Sequence, residues 1–306
     1  MAGYLVKRVL QSMLVILGVV TLMFLVLRLS GDPVALLLGM EATPEQVEQV
    51  RRNMGFDRGI HVQYLSFLTS LARGDFGRSI RFNSPTLSMV LERLPASLEL
   101  AFVSSVLATV VAVPLGVVAA VKRNSLLDNI SMFLSLLGQS VPTFWLGIMA
   151  ILFFSVKLKI FPTSGSGSVK HLILPTLSLA AYSMARIARL TRSAMLDVLG
   201  QDYLRTARAK GLTERVVIYR HALLNASIPI VTVVAFMFAT VMGGAIVTEV
   251  VFAWPGVGRL LVEAVHNRDY PLAQTCVFFI AIFVTAVNLV ADIVYMAIDP
   301  RIRLGE

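Results

Sequence analysis

Apolar residues run along this chain in long blocks rather than in alternation. Six blocks approach the roughly 20 residues that a helix needs to cross a hydrocarbon core about 30 Å thick. They cover residues 9–27, 100–121, 129–156, 172 to about 190, 226–248 and 270–291. The pattern predicts an all-α polytopic membrane protein with six transmembrane helices. The third block is uncharged and contains Pro142; the fourth is weaker, because Arg186 and Arg189 enter its end. The first block follows Lys7 and Arg8 and is longer than the apolar stretch of a cleaved leader. No A-x-A site follows it, so it reads as an uncleaved span.

The polar stretches between blocks are uneven. Residues 29–97 form one long segment, divided here from residues 1–28 before it and from a five-helix core, 98–306, after it. Within it, "TPEQVEQVRRNMG" predicts a short helix with Thr43 as N-cap, Pro44 in the first turn, Gln46 closing a capping box and Gly55 as the stop. "HVQYLSFLTSLARGDFG" predicts a second, amphipathic one with Tyr64, Leu65, Leu68 and Leu71 near one face. Such a pair suits either a cap packed on the membrane core or a docking surface.

Composition agrees with the blocks. Hydrophobic residues make up 57% and charged residues 15%, with a mean hydropathy of +0.78, against about 25% charged in a soluble domain. The net charge of +9 is mostly sidedness. With the N-terminus inside, Lys7, Arg8, Lys122, Arg123, the basic residues from Arg186 to Arg220, Arg301 and Arg303 are all cytosolic. The short outer segments keep only Lys157, Lys159, Lys170, Arg259 and Arg268. Both termini are therefore expected in the cytosol, and no nucleic-acid partner is implied. Cys276 is alone, which excludes an intrachain disulfide.

Catalytic patterns are missing. The chain has no phosphate-cradling G-x-x-x-x-G-K-[ST], no H-E-x-x-H, no paired Cys motif and no G-x-S-x-G. It is not expected to be an enzyme or to bind a metal or cofactor. Ala108, Ala112, Gly116 and Ala120 recur every four residues and predict a close-packing helix seam. Pro114, Pro142 and the Gly243-Gly244 pair can loosen their helices, as hinges or as packing features. Arg28, Glu99, Glu249 and Asp292 lie near the ends of their blocks. Glu249 is the best placed for a gate or pathway, because "GGAIVTEVVFAWPGVG" leads from a flexible point into an outer loop.

The stretch "DYLRTARAKGLTERVVIYRHALLN" interrupts the apolar chain with a basic, helix-favouring island in the inner loop 193–225. Asp202 suits a first turn and Gly211 a helix end. The island reads either as a loop lying against anionic headgroups or as a helix that plugs into a cytosolic protein.

This island resembles the cytosolic loop of binding-protein-dependent ABC importer permeases, with Arg205-Thr206-Ala207 standing at the Glu-Ala-Ala positions and Gly211 at the glycine. "GDPV", "GDFGRSI", "ERLPASLELA", "TEVVFAWPGVGRLL", "RDYPL" and "AIDPRIR", in order along nearly the whole chain, are similar to the dipeptide/oligopeptide branch, first-permease type. The resemblance implies a type I ABC importer permease fold in a bacterial inner membrane. It implies a heterodimer with a second homologous permease, two cytosolic ATPase subunits that use ATP and Mg, an extracytoplasmic solute-binding protein, and surrounding lipid. Arg205, Thr206, Ala207, Arg208, Ala209, Lys210, Gly211 and Leu212 would be the coupling helix in an ATPase groove. Pro142, Gly243, Gly244 and Glu249 remain candidates for the gate or pathway. An ion-coupled secondary transporter and a non-transporting scaffold or receptor are the alternatives. The branch takes dipeptides, oligopeptides, glutathione, nickel complexes, opines and sugars.

Overall fold

A computed structural model describes residues 2–29, 43–53 and 55–298. The GDPV stretch and residues 299–303 of AIDPRIR, with Arg301 and Arg303, lie outside the described residues. Regular structure among the described residues is helical, apart from one isolated antiparallel bridge between Arg78 and Pro85. We number the helices α1 (Ala2–Leu29), α2 (Pro44–Asn53), α3 (Ile60–Ala72), α4 (Thr86–Val121), α5 (Leu126–Ser140), α6 (Thr143–Ala150), α7 (Val169–Leu199), α8 (Asp202–Ala209), α9 (Leu223–Val251), α10 (Val257–His266) and α11 (Tyr270–Ile298). A π-helical segment, Ile151–Lys157, extends α6, and a second, Val217–Ala222, leads into α9.

The chain divides into two compact units: Ser97–Trp254 with the chain from Ala286, and Ala2–Ala96 with Pro255–Thr285. In the second unit, α2 starts as predicted. Thr43 N–H donates to Gln46 Oε1 at 3.0 Å and Gln46 N–H to Thr43 Oγ1 at 3.3 Å, a reciprocal capping box. Gly55 follows with φ +69°. α3 lies on α1: Phe24 is 5.3 Å from the Tyr64 ring and 5.6 Å from the Phe67 ring, and Tyr64 Oη is 2.6 Å from Thr21 Oγ1. The inner face of α3 is thus Tyr64, Phe67, Leu68 and Leu71, spaced i, i+3, i+4, i+7, and Leu65 is exposed. Leu65 was expected on that face, but its place one residue after Tyr64 turns it about 100° away.

Asp269 explains two of the quoted motifs together. It is buried at the N-terminus of α11, where it accepts the Leu272 N–H at 3.3 Å. The same carboxylate accepts the Ile80 and Arg81 amides at 3.1 and 3.3 Å and the Ser79 hydroxyl. "RDYPL" is therefore the lock that fixes the "GDFGRSI" loop. Beside it, the Arg28 guanidinium stacks 4.4 Å from the Phe56 centroid and 5.6 Å from that of Tyr270, an aromatic setting that suits a cation.

In the first unit the small-residue seam is used as expected. Ala108, Ala112, Gly116 and Ala120 are buried, and Ala108 and Ala112 pack with Ala180, Ile187, Ala188 and Met237. A Cβ on Gly116 would lie 2.6 Å from the Ala188 carbonyl oxygen, so the α4–α7 approach leaves room for hydrogen only.

The six apolar blocks do not become six straight spans. Four helical stretches, Lys7–Leu29, Thr86–Val121, Glu214–Val251 and Tyr270–Ile293, are long and apolar enough to cross a membrane, five if α5 and α6 count as one. The third block breaks by 103° between α5 and α6. Val141, at ψ 126°, is extended because the following Pro142 ring disfavours the helical region for it. α7 falls outside the set because its polar residues lower its hydropathy.

Candidate functional site: the basic island

α8 is only two turns long, too short to be stable alone in water. Leu204 and Ala207 anchor it. They are buried in a cluster with Met195 of α7, Val117 and Ala120 of α4, and Val217 and Ala222 at the entry to α9. Its end is a Schellman motif: Gly211 N–H bonds to the Arg208 carbonyl at 2.9 Å and Leu212 N–H to the Ala207 carbonyl at 3.4 Å. Gly211 has φ +80°, a conformation that costs an L side chain about 1–2 kcal/mol.

Arg208 closes the corner. Its Nε lies 2.7 Å from Glu214 Oε1 and its second nitrogen 3.5 Å from Oε2, which ties α8 to the start of the next helical rod. Arg205 pairs with Asp202 at 3.5 Å in a largely exposed contact. Arg205, Thr206, Arg208, Ala209, Lys210, Gly211 and Leu212 are all exposed. Ala207 is the exception. It is expected in the ATPase groove with its neighbours, yet it shares the inner face with Leu204, three residues back, and is used up in holding the helix down.

The gate candidates are scattered. Pro142 is the N-cap of α6 at the 103° bend. Gly243 and Gly244 continue α9 without a break; a Cβ on Gly243 meets nothing within 4 Å, and one on Gly244 would touch Leu179 Cδ1 at 3.4 Å. Glu249 is 1% exposed and accepts the Ser97 hydroxyl at 2.5 Å. Two residues later α9 ends in another Schellman turn, with Trp254 N–H on the Glu249 carbonyl and Ala253 at φ +49°.

Sequence reasoning missed one strong contact above the island. Asp128, 2% exposed in the first turn of α5, takes Arg192 of α7 bidentately at 2.6 and 2.8 Å and the Asn124 amide at 2.9 Å. Only the Ser125 N-cap, which accepts the Asp128 N–H, was a local signal that this residue begins a helix. Among the described residues no group of His, Cys, Asp and Glu could hold a metal ion.

Residues 112–304 match the family "Binding-protein-dependent transport system inner membrane component", and residues 1–101 match its N-terminal companion, "Binding-prot-dependent transport system membrane comp, N-term". The chain is 40% identical over 315 residues to the oligopeptide transport system permease protein AppB of Bacillus subtilis, covering 99% of this chain and 100% of the relative. It is 42% identical over 304 residues to the glutathione transport system permease protein GsiC of Salmonella choleraesuis, covering 99% of each. Identity to the dipeptide transport system permease protein DppB of Alkalihalophilus pseudofirmus is 38% over 332 residues, covering 99% of this chain and 100% of the relative. In fold it is similar to an inward-facing MetNI methionine ABC transporter, with a TM-score of 0.60 and 20% identity over 70% of this chain and 98% of that one. The all-helical fold and the matches along the whole length agree: this chain belongs to the inner-membrane components of binding-protein-dependent transport systems and is a multi-pass, non-catalytic permease subunit of an ABC importer.

Proposed function

We propose that this permease imports peptides or similar small solutes, and that α8 with Gly211 and Leu212 is the element through which cytosolic ATPases drive it. The names of the relatives, which mention oligopeptides, dipeptides and glutathione, support the substrate class. The working assembly is a heterodimer with a second permease, two ATPase subunits that bind and hydrolyse ATP with Mg, and a solute-binding protein that delivers cargo at the outer face. The chain crosses the membrane six times with both termini in the cytosol, counting the bent α5–α6 segment and α7 as crossings. Residues 29–97 belong to the outer side, and loop 193–225 to the inner side. Glu249, Pro142, Gly243 and Gly244 are proposed at the gate or along the pathway.

One observation carries the coupling role. α8 is fastened to its own bundle by Leu204 and Ala207 and by the Arg208–Glu214 brace, yet leaves a row of basic and small residues uncovered. A loop needed only for topology has no use for such an anchored and capped helix. ATP-driven closure of the ATPases would move α8, and the rod Glu214–Val251 continues from it. Reconstitute the importer with Gly211→Asp, or with Arg205 and Arg208 both changed to Glu. Solute uptake and solute-stimulated ATP hydrolysis should separate or collapse while the chain still inserts. Wild-type values for both would remove the coupling assignment.

A further inference from the structure

α7 is enclosed around most of its circumference. Gly116 of α4, Gly138 of α5 and Gly244 of α9 all approach it closely. One strip stays open. From Tyr182 onward its exposed side chains are Arg186, Arg189, Ser193 and Asp197, and Tyr182 itself is half-buried. The spacings of four, three, four and four residues place all five on one side of the helix. The open faces of neighbouring helices differ in kind: α4 exposes Phe102, Val106, Val110 and Leu115, and α5 exposes Phe133, Leu134 and Leu137.

Lipid suits the second kind of face and not the first. The Arg186 guanidinium, expected from charge placement among the cytosolic cations, lies instead 5.7 Å from the ring centroid of Phe236, which is midway along α9. A cation at that depth is costly against hydrocarbon, so it belongs on a wet or protein-covered surface. The groups gathered there are donors. Arg186 reaches the Tyr182 hydroxyl oxygen at 3.5 Å, which leaves the phenol proton free. Arg189 donates to Gln139 Oε1, which turns the amide nitrogen away; that Nε2 is buried without a hydrogen-bond partner. Among the described residues neither Arg186 nor Arg189 is in an ion pair, and Asp197, the carboxylate of the strip, lies two turns beyond Arg189.

We propose that this strip of α7 is a wall of the translocation path, and that Arg186 and Arg189 receive a carboxylate of the passing solute. The carboxylate assignment rests on the peptide reading; the wall does not. A guanidinium binds a carboxylate by two parallel hydrogen bonds, and Arg189 is steadied for this by Gln139 Oε1.

The test uses the assembled importer in vesicles. The native Cys276 is buried, so an added thiol is the reactive one. Single thiols are placed by Tyr182→Cys, Ser193→Cys and, as a lipid-facing control, Val110→Cys. Each is treated with a negatively charged sulfonatoethyl and a positively charged trimethylammonioethyl methanethiosulfonate, with and without ATP. The Tyr182 and Ser193 thiols should react and the Val110 thiol should not. The anionic reagent should be favoured by about tenfold relative to the same thiol in an Arg186→Gln/Arg189→Gln background. Thiols on the strip that never react would mean that a neighbouring subunit or lipid seals it, and the wall would be refuted. A charge preference that survives the double neutralisation would refute the anion subsite. Uptake of trialanine should fall about tenfold in that double variant, and unchanged uptake would also refute the subsite. A wild-type importer that ignores trialanine while the thiols keep their anion preference would overturn the peptide reading alone.

Discussion

At Gly116 a Cβ would sit 2.6 Å from a backbone oxygen; at Gly211 it would meet nothing within 4 Å. The first glycine is required by space and the second by backbone angle. The α4–α7 seam and the Asp128–Arg192 pair beside it are complete within this chain. The surface of α8 is not: its cap is satisfied and its anchors are buried, but Lys210 and Leu212 are exposed on its outer face and Arg205 makes a largely exposed pair with Asp202. Constraint on the seam comes from folding, whereas the proposed coupling role assigns the constraint on the outer face of α8 to a partner.

Substitutions can break that contrast, and the largest effect belongs to the closed side. Asp128→Ala leaves the Arg192 guanidinium, mostly buried, without its carboxylate, and should cost about 3 kcal/mol, visible as a lower unfolding temperature of the purified chain in detergent. Gly116→Ala should cost about 2 kcal/mol by overpacking the seam, in the same measurement. Gly211→Ala should cost only about 1 kcal/mol, the left-handed backbone penalty. Gly211→Asn, which tolerates that conformation better, should recover most of it; if uptake stays lost in the Asn variant, the defect is a clash with a partner rather than a misshapen cap. Arg205→Ala should change stability by less than about 0.5 kcal/mol, since an exposed ion pair contributes little, and any loss of uptake then reports a contact with the ATPase. A stability loss at Arg205 comparable to that at Asp128 would erase the distinction.

Local signals were legible and distant ones were not. The capping box of Thr43 and Gln46, the seam at every fourth residue and the Gly211 helix end are each encoded within a few neighbouring positions, and each appears as read. The face of α3 was read one residue off, because a Leu-rich stretch offers several apolar choices and only Phe24 selects Phe67 over Leu65. Pro142 was visible, but how sharply the chain turns there depends on α7 and α9 packing around it. Asp128 and Arg192 are 64 positions apart, and Asp269 lies 190 from Ser79. No window along the chain joins such pairs; they exist only once the helices have met. The polar strip on α7 was in plain view as a weakened span, but its meaning depends on which sides of that helix are covered.

The Asp128–Arg192 pair also works as a surveyor's mark. The chain leaves this point along α5 and comes back to it down α7. From Val169 to Arg192 α7 descends about 35 Å at helical rise, slightly more than a hydrocarbon core. Whatever its bend, the segment from Asp128 to Ser168 must climb the same height. The excursion is a closed circuit, so the chain resumes on the side it left. On the proposed six-crossing reading, a tally by hydropathy that drops α7 for its arginines and splits the other leg at Pro142 omits an outward and a return passage together. Four and six have the same parity, so the proposed sidedness of everything downstream, the basic island included, is the same on either count.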